Sequence, residues 1–461
     1  MQIYKRVDGE EQPYWPLGPF HVRLPFVHYR WELAESIQAL IMFVVGLAMI
    51  PLLQKYLGLP YDVALAYVFV GGVGYMLPAL LGVPLVPGWI TPAIPVVILF
   101  LGGFEPGPEA IQAMFALQII VFLVFLILGI TRMGSKLVDW IPNSLKNGVI
   151  IGAGIAALLG ELKEGGRVDG TPISLIAGSA LAIYLMFSVS FKGACEKYKL
   201  AKQIADFGMV PAMIFAMVVG WVVGEYPVPD IKWGITHPDF AQMWNYLPFS
   251  VGFPSWEVYL IAIPTALIAY VIAFGDIIVG FVLIDRVDHL RKDEAVNDDV
   301  DRIHYVTALR NAIHAFFAPW PGLAGPLWTA AHATVAERYG KGKEAMESMY
   351  SGAGTFWIAG FLALFVLPLV TLFQPVLPIA LSLTLILTGY ICIMVGMEQL
   401  KNNTERGVAA LVAVVLAMPD PKSTVYAVIV GVALHFLVER KNVFRRDAPE
   451  EVPAAADTAG E

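Results

Sequence analysis

The chain is partitioned into apolar runs of about 15 to 27 residues, separated by short polar pieces rich in Gly and Pro. Runs of that length match the hydrocarbon thickness of a bilayer crossed by a helix, and no polar stretch is long enough for a sizeable soluble domain. Fourteen such runs can be read: 33–53, 62–82, 88–103, 110–131, 141–160, 172–191, 205–224, 257–284, 303–318, 322–337, 350–372, 376–397, 405–418 and 423–438. Composition agrees, with 57% hydrophobic and 15% charged residues, against about 25% charged in soluble domains. The expected fold class is an all-α polytopic membrane protein, held in a cell or inner membrane.

Lysine and arginine placement tests that count independently. With the N-terminus inside, 23 of the 30 Lys and Arg fall on the inner side. Five (Lys55, Lys163, Arg167, Lys232 and Lys422) fall outside, and Lys146 and Arg310 fall within or near runs. The positive-inside bias therefore predicts that both termini are cytoplasmic. No apolar core follows Lys5 and Arg6, so a cleaved signal peptide is not expected and the first helix serves as the insertion signal. Seven spans is an odd number, so a second seven-span half would enter the membrane inverted relative to the first. The expected organisation is a cytoplasmic segment over 1–32, a first repeat over 33–224, an extracytoplasmic linker over 225–256, a second repeat over 257–438 and a disordered acidic cytoplasmic tail over 439–461.

Two runs stand apart from the rest. The third, GWITPAIPVVILFLGG, and the tenth, PGLAGPLWTAAHATVAER, are short, weakly apolar and interrupted by Pro or Gly. Each is third of seven in its half. Interrupted spans at matching places in two halves are the sequence pointer to a solute site between half-helices.

Asp276 is the one charge between Val258 and Ile284. A carboxylate in hydrocarbon costs about 3 kcal/mol on insertion scales, so such residues face a bundle interior or a watery cavity and mark a solute or proton pathway. Lys146, one turn into the fifth span, is expected to snorkel to the interface. Arg310 and His314 are expected to anchor the inner interface from the ninth span. His332 is a polar residue in the broken tenth span, and Trp328 could stack on a planar solute or fill space. The loop DRVDHLRKDEAVNDDVDR reads as a solvated connection. Cys195 and Cys392 lie in unlike surroundings, which argues against a disulfide or metal cluster. There is no HExxH, GxSxG or Cys/His cluster, so neither an enzyme nor a bound cofactor or metal is expected, and no feature suggests nucleic acid. A channel or uncoupled facilitator would share the lining but would not need a titrating group such as Asp276.

Several motifs resemble the nucleobase permeases of the hypoxanthine/guanine and uracil/xanthine types, and more distantly the sulfate permease family. The likeness runs from about residue 33 to 438. IPNSLKNGVIIGAGI is similar to the fifth-span motif of hypoxanthine/guanine permeases, and FGDIIVG resembles the acidic eighth-span motif. ESIQALIMFVVGLAMIPLL looks like the first helix of uracil/xanthine permeases, with Ala39 where those proteins commonly carry His. GYMLPALLGVPLVPGWITPAI and HYVTALRNAIHAFFAPWPG resemble the approach to the third helix and the ninth span.

The resemblance implies about 14 spans in two inverted seven-span repeats. It also implies a core (spans 1–4 and 8–11) that rocks against a gate (5–7 and 12–14), and a possible homodimer. Carried onto this chain, it implies a small-molecule solute touching Gln38, Thr91, Asp276, Trp328 and Thr329, with His332 a possible further polar group. Asp276 would couple proton flow to symport. Nucleobase permeases carry a second carboxylate early in the tenth span. This chain has Leu327, Trp328, Thr329 and His332 there, and no acid before Glu337. A small inorganic or organic anion, as in sulfate permeases, is therefore an alternative solute, drawn by two half-helix N-termini.

Overall fold

The computed structural model describes residues 3–134, 136, 141–205, 210–420 and 422–439. The expected acidic tail lies outside these residues, apart from Glu439.

Every one of the fourteen runs carries helix. The first is broken into α1 (Leu33–Met42), α2 (Val44–Leu47) and α3 (Ile50–Leu57). Then come α4 (Tyr61–Leu80), β3 (Gly88–Trp89), α5 (Ile94–Leu101), α6 (Pro108–Thr131), α7 (Asn143–Leu162), α8 (Pro172–Phe187), α9 (Val189–Lys197) and α10 (Val210–Val223). The second half holds α11 (Trp256–Asp288), α12 (Val300–Phe317), β4 (Ala324–Gly325), α13 (Thr329–Tyr339), α14 (Met349–Ala363), α15 (Leu377–Glu398), α16 (Asn403–Leu416) and α17 (Ser423–Leu434). Five helical stretches, Tyr61–Leu80, Pro108–Thr131, Asn143–Gly170, Trp256–Asp288 and Leu367–Glu398, are each long and apolar enough to cross a membrane. A sixth is formed if α8 and α9, bent by 61° at Ser188, count as one span.

Helix pairs from opposite halves interlock. In the first group α12 and α11 lie along α6, and α1 packs on α14, which also meets α4. In the second, α15 and α16 flank α7, and α8 lies between α10 and α15. Small residues set the second group's spacing. A Cβ at Gly154 of α7 would lie 2.7 Å from the Gly389 carbonyl oxygen of α15, and one at Gly389 would lie 2.8 Å from the Gly154 oxygen. Two backbones that close leave no room for a side chain.

The segment before α1 is folded. A hairpin of β1 (Trp15–Leu17) and β2 (Phe20–Val22) precedes Tyr29, which is fully buried. Arg6 pairs with Asp293 at 2.5 Å and Glu294 at 3.0 Å, and Arg23 pairs with Glu11 at 2.6 Å and lies 3.8 Å over the Tyr350 ring. The loop expected to be solvated therefore holds buried charge: Arg291 and Glu294 are both inaccessible, and Ser348 at the start of α14 donates to Glu294 at 2.5 Å. Each of these three guanidiniums, Arg6, Arg23 and Arg291, meets an acid, which offsets its removal from water.

Arg291 grips Asp293 with two bonds, Nε to Oδ1 at 2.8 Å and the outer nitrogen to Oδ2 at 3.0 Å. That hydrogen bonding, with the charges of Arg291 and Arg6, holds the Asp293 carboxyl below its ordinary 3.8 despite partial burial. A lowered native value stabilises the fold above the unfolded value and is lost as pH falls through the native one. Asp293→Asn should therefore cost about 1–3 kcal/mol at pH 7. The gap in melting temperature from the parent protein should close as the pH drops below about 3.8.

Candidate functional site

The two short runs meet. Gly88 pairs with Gly325 and Trp89 with Ala324 in a two-residue antiparallel ladder between β3 and β4. The Trp328 N–H donates to the Val86 carbonyl at 2.7 Å and the Ile90 N–H to the Gly322 carbonyl at 3.1 Å. Both partners must approach as bare backbone. A Cβ at Gly325 would sit 2.6 Å from the Trp89 carbonyl carbon, and one at Gly88 would sit 2.8 Å from the Trp328 Cβ. A turn over Thr91–Ala93 leads into α5, and α13 starts at Thr329, so two helix N-termini flank the crossing. Each carries about half a positive charge, and α13 adds the unpaired N–H groups of its first turn; on the α5 side Pro92 and Pro95 have no N–H, and those of Ala93 and Ile94 donate to the Ile90 and Thr91 carbonyls.

Side chains from α12 and α13 brace this crossing. The Asn311 Nδ2 donates to the Ala324 carbonyl while its Oδ1 accepts from the Ala324 N–H, both at 3.0 Å. Arg310 donates to the Gly325 carbonyl at 2.6 Å and to the Gly88 carbonyl at 3.2 Å, touching both strands at once. His332 is fully buried. Its Nδ1 accepts from the Val86 N–H at 3.3 Å, so its Nε2 carries the proton and donates to the Gly280 carbonyl of α11 at 3.0 Å. The imidazole is thus a neutral bridge between three segments.

A cavity of about 20 Å³ opens beside the crossing, lined by Gly46, Tyr75, Gly88, Trp89, Thr91, Trp328, Trp357 and Thr384. Its walls are aromatic. Tyr75 stacks on Trp357 at 4.1 Å between centroids, and Trp328 lies 5.9 Å from Trp357. The indole N–H groups of Trp89 and Trp357 are buried and have no hydrogen-bond partner among the described residues. Thr384 comes from α15, and every other lining residue belongs to α2, α4, α14 or the two crossing segments.

Of the residues expected at a site, Thr91 and Trp328 line this cavity. Thr329 begins α13 and is exposed. Asp276 is half-buried on α11, one turn before the Gly280 that receives the His332 proton, and lies within electrostatic reach of Cys392 on α15. It does not line the cavity and makes no hydrogen bond or ion pair among the described residues. Gln38 of α1 approaches Met42 Sδ at 3.8 Å, two turns before the cavity residue Gly46.

Two expectations change. Arg310 does not anchor an interface; it is 1% exposed and holds the crossing. His314 is buried as well, against Gly71 and Gly74 of α4, with its Nδ1 3.3 Å from the Ala318 carbonyl. Lys146 lies on the wall of an apolar crevice of about 420 Å³ between α7, α11 and α17. Sequence reasoning missed Tyr75, Trp89, Trp357 and Thr384. Only Arg310 carried a usable signal, the same isolated charge in an apolar run that drew attention to Asp276.

The family model of the Permease family, the xanthine/uracil permeases, matches residues 31–289. The chain belongs to this family. It is a membrane transporter, not an enzyme. No curated protein sequence matches it. Among solved structures it resembles the transmembrane domain of a cyanobacterium bicarbonate transporter, BicA, at 14% identity and a TM-score of 0.52, covering 85% of this chain and 96% of that one. It also resembles murine Slc26a9, an anion transporter in the inward-facing state, at 14% identity and a TM-score of 0.50, covering 88% of this chain and 67% of that one. At such identity these likenesses concern the fold alone.

Removing the Asn311 brace tests the crossing directly. Asn311→Leu leaves the Ala324 N–H and carbonyl unpaired, at an expected cost of about 1–3 kcal/mol. The measurement is the melting temperature of the detergent-purified permease, which should fall.

Proposed function

We propose that this permease is a proton-coupled symporter of a small planar solute such as a nucleobase, bound where α5 and α13 begin, at the aromatic cavity, which at about 20 Å³ has room for about one water in this conformation and widens to admit the solute as the helix groups move apart. The observation that carries this reading is the cavity wall: rings from Tyr75, Trp89, Trp328 and Trp357, with two buried indole donors lacking acceptors. Rings favour a flat solute by stacking, and unpaired donors favour one rich in acceptor oxygens and nitrogens. Thr91 and Thr384 add hydroxyls that donate or accept.

Alternating access follows from the cavity's boundary. Thr384 on α15 belongs to the group of helices around α7, and the remaining lining belongs to the other group. Movement of one group against the other opens the cavity to one face or the other. Asp276 takes the coupling proton. It faces the same side of α11 as Gly280, which touches Leu85 and Leu327 on the two approach segments, so its charge state bears on how those segments sit. Both termini are cytoplasmic in this reading, and the permease works in a cell or inner membrane as a homodimer.

A second reading, transport of a small anion, draws support from the two helix N-termini and from Arg310 at the crossing. Reconstitution into liposomes with labelled uracil, hypoxanthine and xanthine under an inward proton gradient tests the first. The parent protein should accumulate at least one of them, and Asp276→Asn should retain solute exchange while losing gradient-driven accumulation about tenfold or more. Accumulation by Asp276→Asn equal to the parent's would remove Asp276 as the coupling group.

A further inference from the structure

Five arginines are buried among the described residues: Arg6, Arg23, Arg291, Arg302 and Arg310. Four of them meet a carboxylate. Arg6 and Arg291 share Asp293 and Glu294, Arg23 pairs with Glu11 at 2.6 Å and Arg302 pairs with Asp299 at 3.2 Å. Arg310 has no acidic partner among the described residues. Its guanidinium bonds to two neutral backbone carbonyls, and its Nε–H is buried with no hydrogen-bond partner. A guanidinium keeps its proton in proteins, so this is a full positive charge removed from water without a counter-charge, an arrangement that is costly unless something supplies one.

The position of that charge suggests what supplies it. Gly88, whose carbonyl oxygen accepts from Arg310, lines the cavity, and the guanidinium carbon lies 5.2 Å from the centre of the Tyr75 ring, which lines it too. The charge therefore sits one ring and one peptide unit behind the cavity wall. The other groups facing it add to the same sign. Two helix N-termini contribute partial positive charge, the buried indole N–H groups of Trp89 and Trp357 are donors, and His314, one turn along α12, offers no negative charge. Among the described residues no carboxylate lines the cavity. Asp276 of α11 does not line the cavity, and it becomes neutral when it carries the coupling proton.

We infer that Arg310 is the counter-charge of the solute site, so that the permease selects solutes bearing a negative charge over neutral ones of the same shape. This rests on the solute site proposed above and narrows its substrate class to a planar anion. Arg310 then acts in two ways through one side chain: its outer nitrogens hold β3 and β4 together, and its charge balances the solute. It is a positioning and charge-selecting residue and does not line the cavity itself.

The test compares orotate with uracil, and benzoate with benzamide, as anionic and neutral partners of similar outline. Binding to the purified permease in nanodiscs is measured for the parent, Arg310→Gln and Arg310→Lys. The parent should bind each anion about tenfold or more tightly than its neutral partner, the scale of a charge-assisted interaction. Arg310→Gln should abolish that preference, weakening each anion about tenfold or more beyond any loss it causes in the neutral partner, and Arg310→Lys should keep part of it.

A parent that prefers the neutral partners overturns the inference, as does an Arg310→Gln protein that weakens anion and neutral partner equally; in both cases the solute-site reading survives. If no planar solute binds, sulfate serves as the probe. Sulfate binding lost in Arg310→Gln and kept in Arg310→Lys upholds the counter-charge while the planar-solute reading fails. Should Arg310→Gln not fold, Arg310→Lys decides alone, since equal weakening of anion and neutral partner there also overturns the inference.

Discussion

Two peptide segments more than 230 residues apart, Gly88–Trp89 and Ala324–Gly325, are held in register by a ladder too short to persist unaided. The rest of the site depends on that register. A pair of two-residue strands gains little from its own hydrogen bonds, each worth about 1 kcal/mol net. The crossing is fixed instead by groups delivered from α12 and α13: Asn311 on Ala324, Arg310 on Gly325 and Gly88, and His332 between Val86 and Gly280. Irregular backbone inside a membrane is tolerated where protein satisfies its polar groups. Here three polar side chains do so, and the outcome is a pair of helix N-termini held beside one cavity.

The cavity's makeup follows from what the crossing needs. Gly88 and Gly325 let the backbones touch, which places Trp89 and Trp328 on either side of the seam. Tyr75 and Trp357 close the wall from α4 and α14. The other helix group contributes Thr384 alone, so the braces of the crossing lie outside it. The polar network of the crossing lies within one group. The close approach of Gly154 and Gly389 makes the second group compact in its own right.

Much of this was legible in the residues. Apolar runs gave the helical regions because hydrocarbon leaves a chain few choices. The Pro and Gly interruptions marked the third and tenth runs as half-helices, and Thr91 and Trp328 duly lie on the cavity. What was not legible depends on contacts distant in sequence. Trp89 and Trp357 look like ordinary apolar residues until β3 and β4 pair. Arg310, near neither end of α12, resembles an interface anchor unless its carbonyl partners at Gly88 and Gly325 are known. The charges in 285–302 read as solvated and residues 1–32 only as a cytoplasmic segment, yet Arg6, Arg23, Arg291 and Glu294 are buried, because the fold packs the two segments together and pairs Arg6 with Asp293 and Glu294. Asp276 and Gln38 stand on the expected helices without lining the cavity.

Solute protection of engineered thiols tests the account most directly. In a background with Cys195→Ser and Cys392→Ala, Thr91→Cys and Thr384→Cys place single thiols on opposite sides of the cavity, one from each helix group. A transported solute should slow alkylation of both, over the concentration range in which it binds. Saturable binding with neither thiol protected would place the solute elsewhere and contradict a site at the crossing of β3 and β4.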